Sequence, residues 1–322
     1  MRRKIESSQK KKVNIICGTD DSLKTVEPPR LKSLEKADIH PGVVFSGGCD
    51  SIVVHCLTQE VLGDHELLCM DFGGAYSRET ENAKKFNPTM FETDWRRKYP
   101  PEIKSVSPFN IPFVLCKYLS NTNCFFGGVT LEATMFGYRM GNMLETENEL
   151  DWRMYQPLGS LFEPAIVKLL MDFQDENGIV ECATQCARPE TEKSQRKKML
   201  FNIAMDRYGY GYKRFEIQSP KTKCNTMGVS HGLITVMYLL KHLPREQVEL
   251  VYDLSQVPNE VFDIIENYKL TFFDRYSPLY LDEMAEKYFI TAFENHGVLK
   301  YDENDMKEYK NICQLIKRLT RK

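Results

Sequence analysis

Ordered alternation of apolar and polar residues begins near residue 42. Gly42-Val43-Val44-Phe45 is a short β-rich run that stops at Ser46. From Asp50 to Leu62, Ile52, Val53, Cys56, Leu57 and Val61 recur near a helical period, and Gly63-Asp64 punctuates the end. Glu66–Met70 predicts a second buried strand, Arg78–Phe86 and Ile111–Leu119 further helices, and Cys124–Phe126 a third strand. Strand, helix, strand, helix, strand is the pattern of a parallel sheet with helices on both faces. The expected class is therefore α/β, a doubly wound, mostly parallel sheet. After about Arg188 the texture changes. Lys193–Tyr208, Gly232–Lys241, Glu260–Tyr268, Leu281–Phe293 and Glu303–Arg318 carry apolar residues at helical spacing, which predicts a mainly helical C-terminal region.

Ahead of the alternating part, residues 1–12 form a basic, polar tail. Val13–Cys17 predicts a short strand, and the stretch to Pro41, with Pro28-Pro29, reads as an irregular lead-in. The organisation predicted is a tail and lead-in over 1–40, an α/β domain over 41–190 and a helical region over 191–322.

Composition changes this picture little. A formal charge of -2 gives no whole-molecule field that would favour nucleic acid. No apolar run approaches a membrane span and no apolar leader follows Met1, so the expectation is a cytoplasmic protein with no membrane partner. The ten cysteines are then expected as thiols.

The strongest chemical signal is the turn Ser46-Gly47-Gly48-Cys49-Asp50-Ser51, set between a strand and a helix. Two glycines let backbone amides approach an anion, and the helix start adds orphan N–H groups and the positive end of a dipole. Ser46 and Ser51 add hydroxyls. Asp50 is expected to point away from phosphate, as a cap or toward Mg²⁺. No Gly-Lys-Ser/Thr follows, so the Walker A pattern does not fit.

Ser46-Gly47-Gly48-Cys49-Asp50-Ser51 after an apolar strand resembles the PP-loop of the N-type ATP pyrophosphatases. Met70-Asp71-Phe72-Gly73 and Arg78-Glu79-Thr80-Glu81 resemble the corresponding segment of the 7-cyano-7-deazaguanine synthases within that superfamily. Phe126-Gly127-Gly128-Val129, Pro157-Leu158 and Thr184-Gln185-Cys186 resemble later segments of the same proteins. The resemblance covers roughly residues 42–190. It implies an ATP-pyrophosphatase domain that splits ATP between the α and β phosphates and passes AMP to a carboxylate or carbonyl oxygen. A nitrogen or sulfur nucleophile then displaces AMP. The cofactors implied are ATP and Mg²⁺. The binding residues implied are Ser46, Gly47, Gly48, Cys49, Asp50, Ser51, Asp71, Gly73, Arg78 and Gly127, with Asp50 and Ser51 the catalytic candidates. The substrate implied is a small molecule, with a deazapurine acid and ammonia as the nearest fit.

The chain also departs from that pattern. Glu163 stands where the family has a lysine, and Phe109-Asn110 where it has Arg-Asn; Lys168 and Arg139 are the substitutes at hand. Glu190 to Leu200 contains no cysteine, and Cys182, Cys186, Cys224 and His231 are too widely spaced for a structural zinc site, so zinc is not expected. The six histidines form no close pair in the chain. Sulfur transfer to a nucleobase, with Cys186 as carrier, and an inactive ATP-binding module are the alternatives. Trp95-Arg96-Arg97-Lys98-Tyr99 and the basic tail are the segments suited to nucleic acid, and the helical second half is suited to a homodimer.

Overall fold

The structure is a computed structural model that describes residues 7–8, 12–16, 23–26, 40–71, 77–92, 122, 124–128, 130–132, 154–173, 178–185, 188–225, 230–255, 257–258, 266–269 and 283–320. Three short N-terminal strands come first: β1 (Ser7–Ser8), β2 (Lys12–Ile16) and β3 (Leu23–Val26). They form an antiparallel sheet in that order, so the lead-in read as irregular holds a strand, Leu23–Val26, paired to β2. Its Leu and Val stand at the two ends with Lys-Thr between them, so its four residues show no period of two.

The main sheet follows. β4 (Pro41–Val44) leads into α1 (Cys49–Leu62), then β5 (Glu66–Asp71), α2 (Ser77–Lys84), β6 (Thr89–Glu92), β7 (Cys124–Phe126) and β8 (Met154–Tyr155). The strand order is β6-β5-β4-β7-β8 and every pairing is parallel. This is the α/β class expected. β6 and β8, of four and two residues, were not legible as strands. The chain runs outward from β4 to β6 on one side, then returns to β7 and β8 on the other. The strand order therefore reverses between β4 and β7, and the crevice at the carboxyl ends of these two strands is where open α/β sheets take ligands.

Side-chain alternation sorts the strands between two apolar clusters. Val43, Cys69, Cys124 and Phe126 join the main core, while Leu68, Met70 and Phe125 form a second cluster with Val44 and Phe91 against it. The alternation of adjacent residues between clusters follows from the two-residue period of a strand. α1 buries Ile52, Val53, Val54, Leu57 and Val61, because β4 and helices from the C-terminal half enclose it.

After a 3₁₀ turn at Pro157–Ser160 come α3 (Glu163–Asp172), α4 (Ile179–Gln185) and α5 (Glu192–Tyr208). Then follow β9 (Cys224–Asn225), α6 (Ser230–His242), α7 (Arg245–Val251), β10 (Tyr252–Asp253), α8 (Glu283–Asn295) and α9 (Glu303–Thr320). β9 and β10 pair in parallel. The main core is continuous from Val43 to Ile316. α8 packs on α1, and its Phe289 meets Phe126 of β7 with ring centroids 5.5 Å apart. The helix expected over Glu260–Tyr268 does not reach its end: Tyr268 is extended and bridges Lys300, with its N–H on the Leu299 carbonyl at 2.9 Å. The helix expected at Ile111–Leu119 lies outside the described residues. Among the described residues no helix is long and apolar enough to cross a membrane.

Candidate functional site

β4 ends at Val44, and Phe45 N–H still donates to the Leu68 carbonyl of β5 at 2.8 Å. The backbone then turns at Gly47, where φ is +75°, and α1 begins at Cys49 with Gly48 as its extended N-cap. A side chain at Gly47 has nowhere to go. A Cβ there would lie 2.5 Å from the Ala83 nitrogen and 2.6 Å from the Glu79 carbonyl oxygen of α2. Gly47 is thus required by the close passage of α2 and by its positive φ. Asn82 of α2 fixes this contact by donating to the Gly47 carbonyl and, at 2.9 Å, to the Cys182 carbonyl of α4.

The two hydroxyls organise the other side of the turn. Ser51 Oγ donates to the Gly48 carbonyl at 2.9 Å and lies 3.2 Å from Ser46 Oγ. Ser46 N–H points to Ser51 Oγ and Gly48 N–H to Ser46 Oγ, each at 3.2 Å. These are long bonds, easily exchanged for a charged acceptor. Ser46 is exposed and Asp50 half-buried, whereas Gly47, Gly48 and Cys49 are covered. The loop therefore opens on its Ser46–Asp50 side. Gly128, after β7, closes onto the first turn of α1: a Cβ there would stand 3.1 Å from that of Asp50.

Behind the open side lies a buried polar network. Lys197 of α5 reaches Asp50 Oδ1 at 3.4 Å and Glu163 Oε1 at 2.7 Å. Glu163 Oε2 is 3.2 Å from Arg196 Nε and accepts from Thr235 Oγ1 at 3.0 Å. Arg196 also pairs with Glu192 at 3.0 Å, and Glu192 accepts from the Tyr252 hydroxyl. Burial opposes the charge on Glu163, but Arg196 and Lys197 outweigh it and hold its carboxyl down at about 2. Burial equally opposes charge on Lys197; Asp50, Cys49 and Glu163 overcome it and keep the amine protonated. Glu132 behaves oppositely. Its Oε1 accepts the Glu163 N–H at the start of α3, and burial with the Glu163 charge beside it pushes its carboxyl up to about 7.

The structure brings Ser46, Gly47, Gly48, Cys49, Asp50 and Ser51 into one turn at the carboxyl edge of the sheet. Asp71 stands at the same edge as the last residue of β5, the strand beside β4. Gly73 lies outside the described residues, as do Phe109, Arg139, Cys186 and Trp95–Tyr99. Arg78 Nε donates to the Gln185 carbonyl at the end of α4, at 3.1 Å. Gly127 admits the Gln156 side chain, within 2.5 Å of where a Cβ would sit. Lys168, a substitute for the missing cation, is turned away. Its amine donates to the Gly297 carbonyl at 2.5 Å and lies over the Tyr208 ring at 4.9 Å.

Three features escaped sequence reading. Asn82 was one polar residue among many in α2. Glu132 follows β7 in a helical turn, Leu131-Glu132, that the sequence reading did not pick out. Lys197 did leave a trace, since it shares a helical face with Ser194, Leu200, Phe201 and Ala204, all buried. A cation within an apolar stripe is a mark of buried pairing. The fold also brings together two histidines that are not close in the chain. His55 Nδ1 and His65 Nε2, ten residues apart, meet at 2.7 Å. Cys182 is buried and 3.8 Å from Lys85 Nζ, and among the described residues no three His, Cys, Asp or Glu side chains gather as a metal site.

No family model and no curated protein matches the chain. Among solved structures it is similar to the U34-tRNA thiolase NcsA from Methanococcus maripaludis, solved with its [4Fe-4S] cluster, at 13% identity. The match covers 59% of this chain and 80% of that one, with a TM-score of 0.29. A likeness so loose carries no functional information.

Proposed function

We propose that the chain is an ATP-using enzyme of the PP-loop kind, which transfers AMP to a carboxylate or carbonyl oxygen and releases pyrophosphate. One observation carries this reading: the Ser46–Ser51 turn stands at the carboxyl end of β4, beside the point where strand order reverses, with its hydroxyl side open. The loop amides, the Ser46 and Ser51 hydroxyls and the start of α1 suit the β and γ phosphates. The acceptor oxygen attacks the α phosphorus, and the bond from that phosphorus to the bridging oxygen breaks. Pyrophosphate leaves with the electron pair, and the acyl-adenylate then loses AMP to a nitrogen nucleophile. A preorganised anion cradle lowers this barrier by stabilising the charge that moves onto the leaving pyrophosphate.

Mg²⁺ fits the residues present. Asp50 offers a carboxylate with 39% of its side chain exposed, and Asp71 ends the neighbouring strand. One or two carboxylates plus phosphate oxygens is the usual holding of this ion, and bound there it would offset phosphate charge. A deazapurine acid with ammonia is the nearest substrate class.

The test is pyrophosphate release from ATP and Mg²⁺ with a panel of heteroaromatic acids, offering ammonium or sulfide as nucleophile. Release that needs one acid and is lost in Ser51→Ala is the expected result. ATP bound without pyrophosphate under any condition would instead identify a binding module. Absence of ATP binding would end the proposal.

A further inference from the structure

We infer that Lys197 is the phosphate-facing cation of this loop, covered in the structure by Asp50 and held from behind by Glu163. The inference rests on the ATP reading above and deepens it. A triphosphate carries several negative charges, and the described turn itself offers only amides, hydroxyls and a helix dipole against them. Among the described residues, Lys197 is the cation seen in an ion pair with a loop side chain. The others nearby are engaged elsewhere: Arg196 with Glu163 and Glu192, Lys193 with Glu79, Arg78 with the Gln185 carbonyl.

The geometry of Lys197 is lopsided. Its side chain is 3% exposed, so its charge depends on partners. The bond to Glu163 is short at 2.7 Å and fixes the ammonium from the core side. The contact to Asp50 is long at 3.4 Å, at the outer limit of a hydrogen bond, and falls on the open side of the loop. An ammonium has three donors. It is thus firmly held at the back and loosely satisfied at the front, where a phosphate oxygen is the better acceptor. Asp50, the residue that covers it, is also the carboxylate placed to turn toward Mg²⁺. Arrival of Mg²⁺–ATP would then exchange one pair for two: Asp50 with the metal ion and Lys197 with a phosphate oxygen. Glu163 thereby acquires a purpose. In place of a cation at the start of α3, the chain has an anion that positions a cation from α5.

The experiment measures binding of ATP with Mg²⁺, and of tripolyphosphate in EDTA, by titration calorimetry. The proteins are the full chain and its Lys197→Met, Asp50→Asn and Asp50→Asn/Lys197→Met variants. Lys197→Met should weaken both ligands at least tenfold. Asp50→Asn should tighten metal-free tripolyphosphate at least threefold, and adding Lys197→Met to it should abolish that gain and weaken binding tenfold. The double variant removes opposite charges together, so it decides the matter even where the single methionine variant does not fold. Equal tripolyphosphate affinity for Asp50→Asn and the double variant would overturn the assignment of Lys197 while leaving the loop reading intact. No binding of either ligand to the unaltered chain would sink the loop reading itself.

Discussion

At the scale of single residues, the turn is held by contacts that leave little freedom. Gly47 combines a positive φ with a close approach from α2. Gly47→Ala should cost about 1–2 kcal/mol from the backbone conformation alone, more from the clash, and weaken ATP at least tenfold. Urea denaturation and calorimetry check both numbers. Asn82 is a second such point. It is buried, and its amide serves two carbonyls from different elements. Asn82→Ala strands both and should cost about 1–3 kcal/mol. Ser46→Ala is the control, because Ser46 is exposed and its bonds are long; its stability should change by less than about 0.5 kcal/mol. A cost for Ser46→Ala equal to that of Asn82→Ala would contradict this ranking.

At the scale of elements, helices are clamped by titratable groups. His296, just past the end of α8, lies between Asp172 of α3 and Glu60 of α1, the latter at 2.7 Å. Burial disfavours its charge, but the hydrogen bonds it donates to both carboxylates prevail and raise it above its ordinary 6.5. A raised histidine stabilises fully below its unfolded value, and that contribution is lost as pH rises through the folded one. The stability difference between the unaltered chain and His296→Asn should therefore be largest near pH 6 and shrink on the alkaline side. Glu132 has the reverse chemistry. Its carboxyl is raised from 4.5 to about 7 by burial and by Glu163. Ionising it costs more in the fold than in the open chain, so stability falls as pH rises from about 4.5 through about 7. Glu132→Gln should be free of that fall, and its advantage over the unaltered chain should grow across the window. Melting temperatures at pH 5 and pH 8 test both variants. In His65, burial lowers the pKa, against hydrogen bonding to the Gly63 carbonyl and the nearby Asp64 charge. With Nδ1 donating to Gly63, His65 Nε2 is left to accept from His55 Nδ1.

At the scale of the whole molecule, the loop and the helical half are physically coupled. α5 packs on α3 and α4 and carries the cation that reaches Asp50. α8 covers α1, with Phe289 and Phe293 fully buried. A chain cut after Glu190 would lose α5, α6 and α8 and so uncover the apolar faces of α1 and α3 against which they pack. Each large side chain uncovered forfeits about 1.5–3 kcal/mol, so a few of them are a large share of an ordinary domain's stability. The shortened chain should show no cooperative thermal transition by circular dichroism. A sharp transition would mean that residues 41–190 form an independent unit, as the change in sequence texture near 190 had suggested.

Local signals in the sequence determined a good deal. Valines after Gly42 make β4, the apolar spacing from Ile52 makes α1, and Gly47-Gly48 between them makes the turn, because each depends on neighbours in the chain. The α/β class followed from the same alternation. What only the tertiary structure decided was the surroundings of that turn. That α2 presses on Gly47, that Asn82 ties it to α4, and that Lys197 arrives from more than a hundred residues away are facts of packing across the sheet. The same holds for Glu163, which read as a lost cation and proves to anchor one. Charge partners separated this far leave no spacing to read, since their meeting is fixed by how helices stack on a shared core.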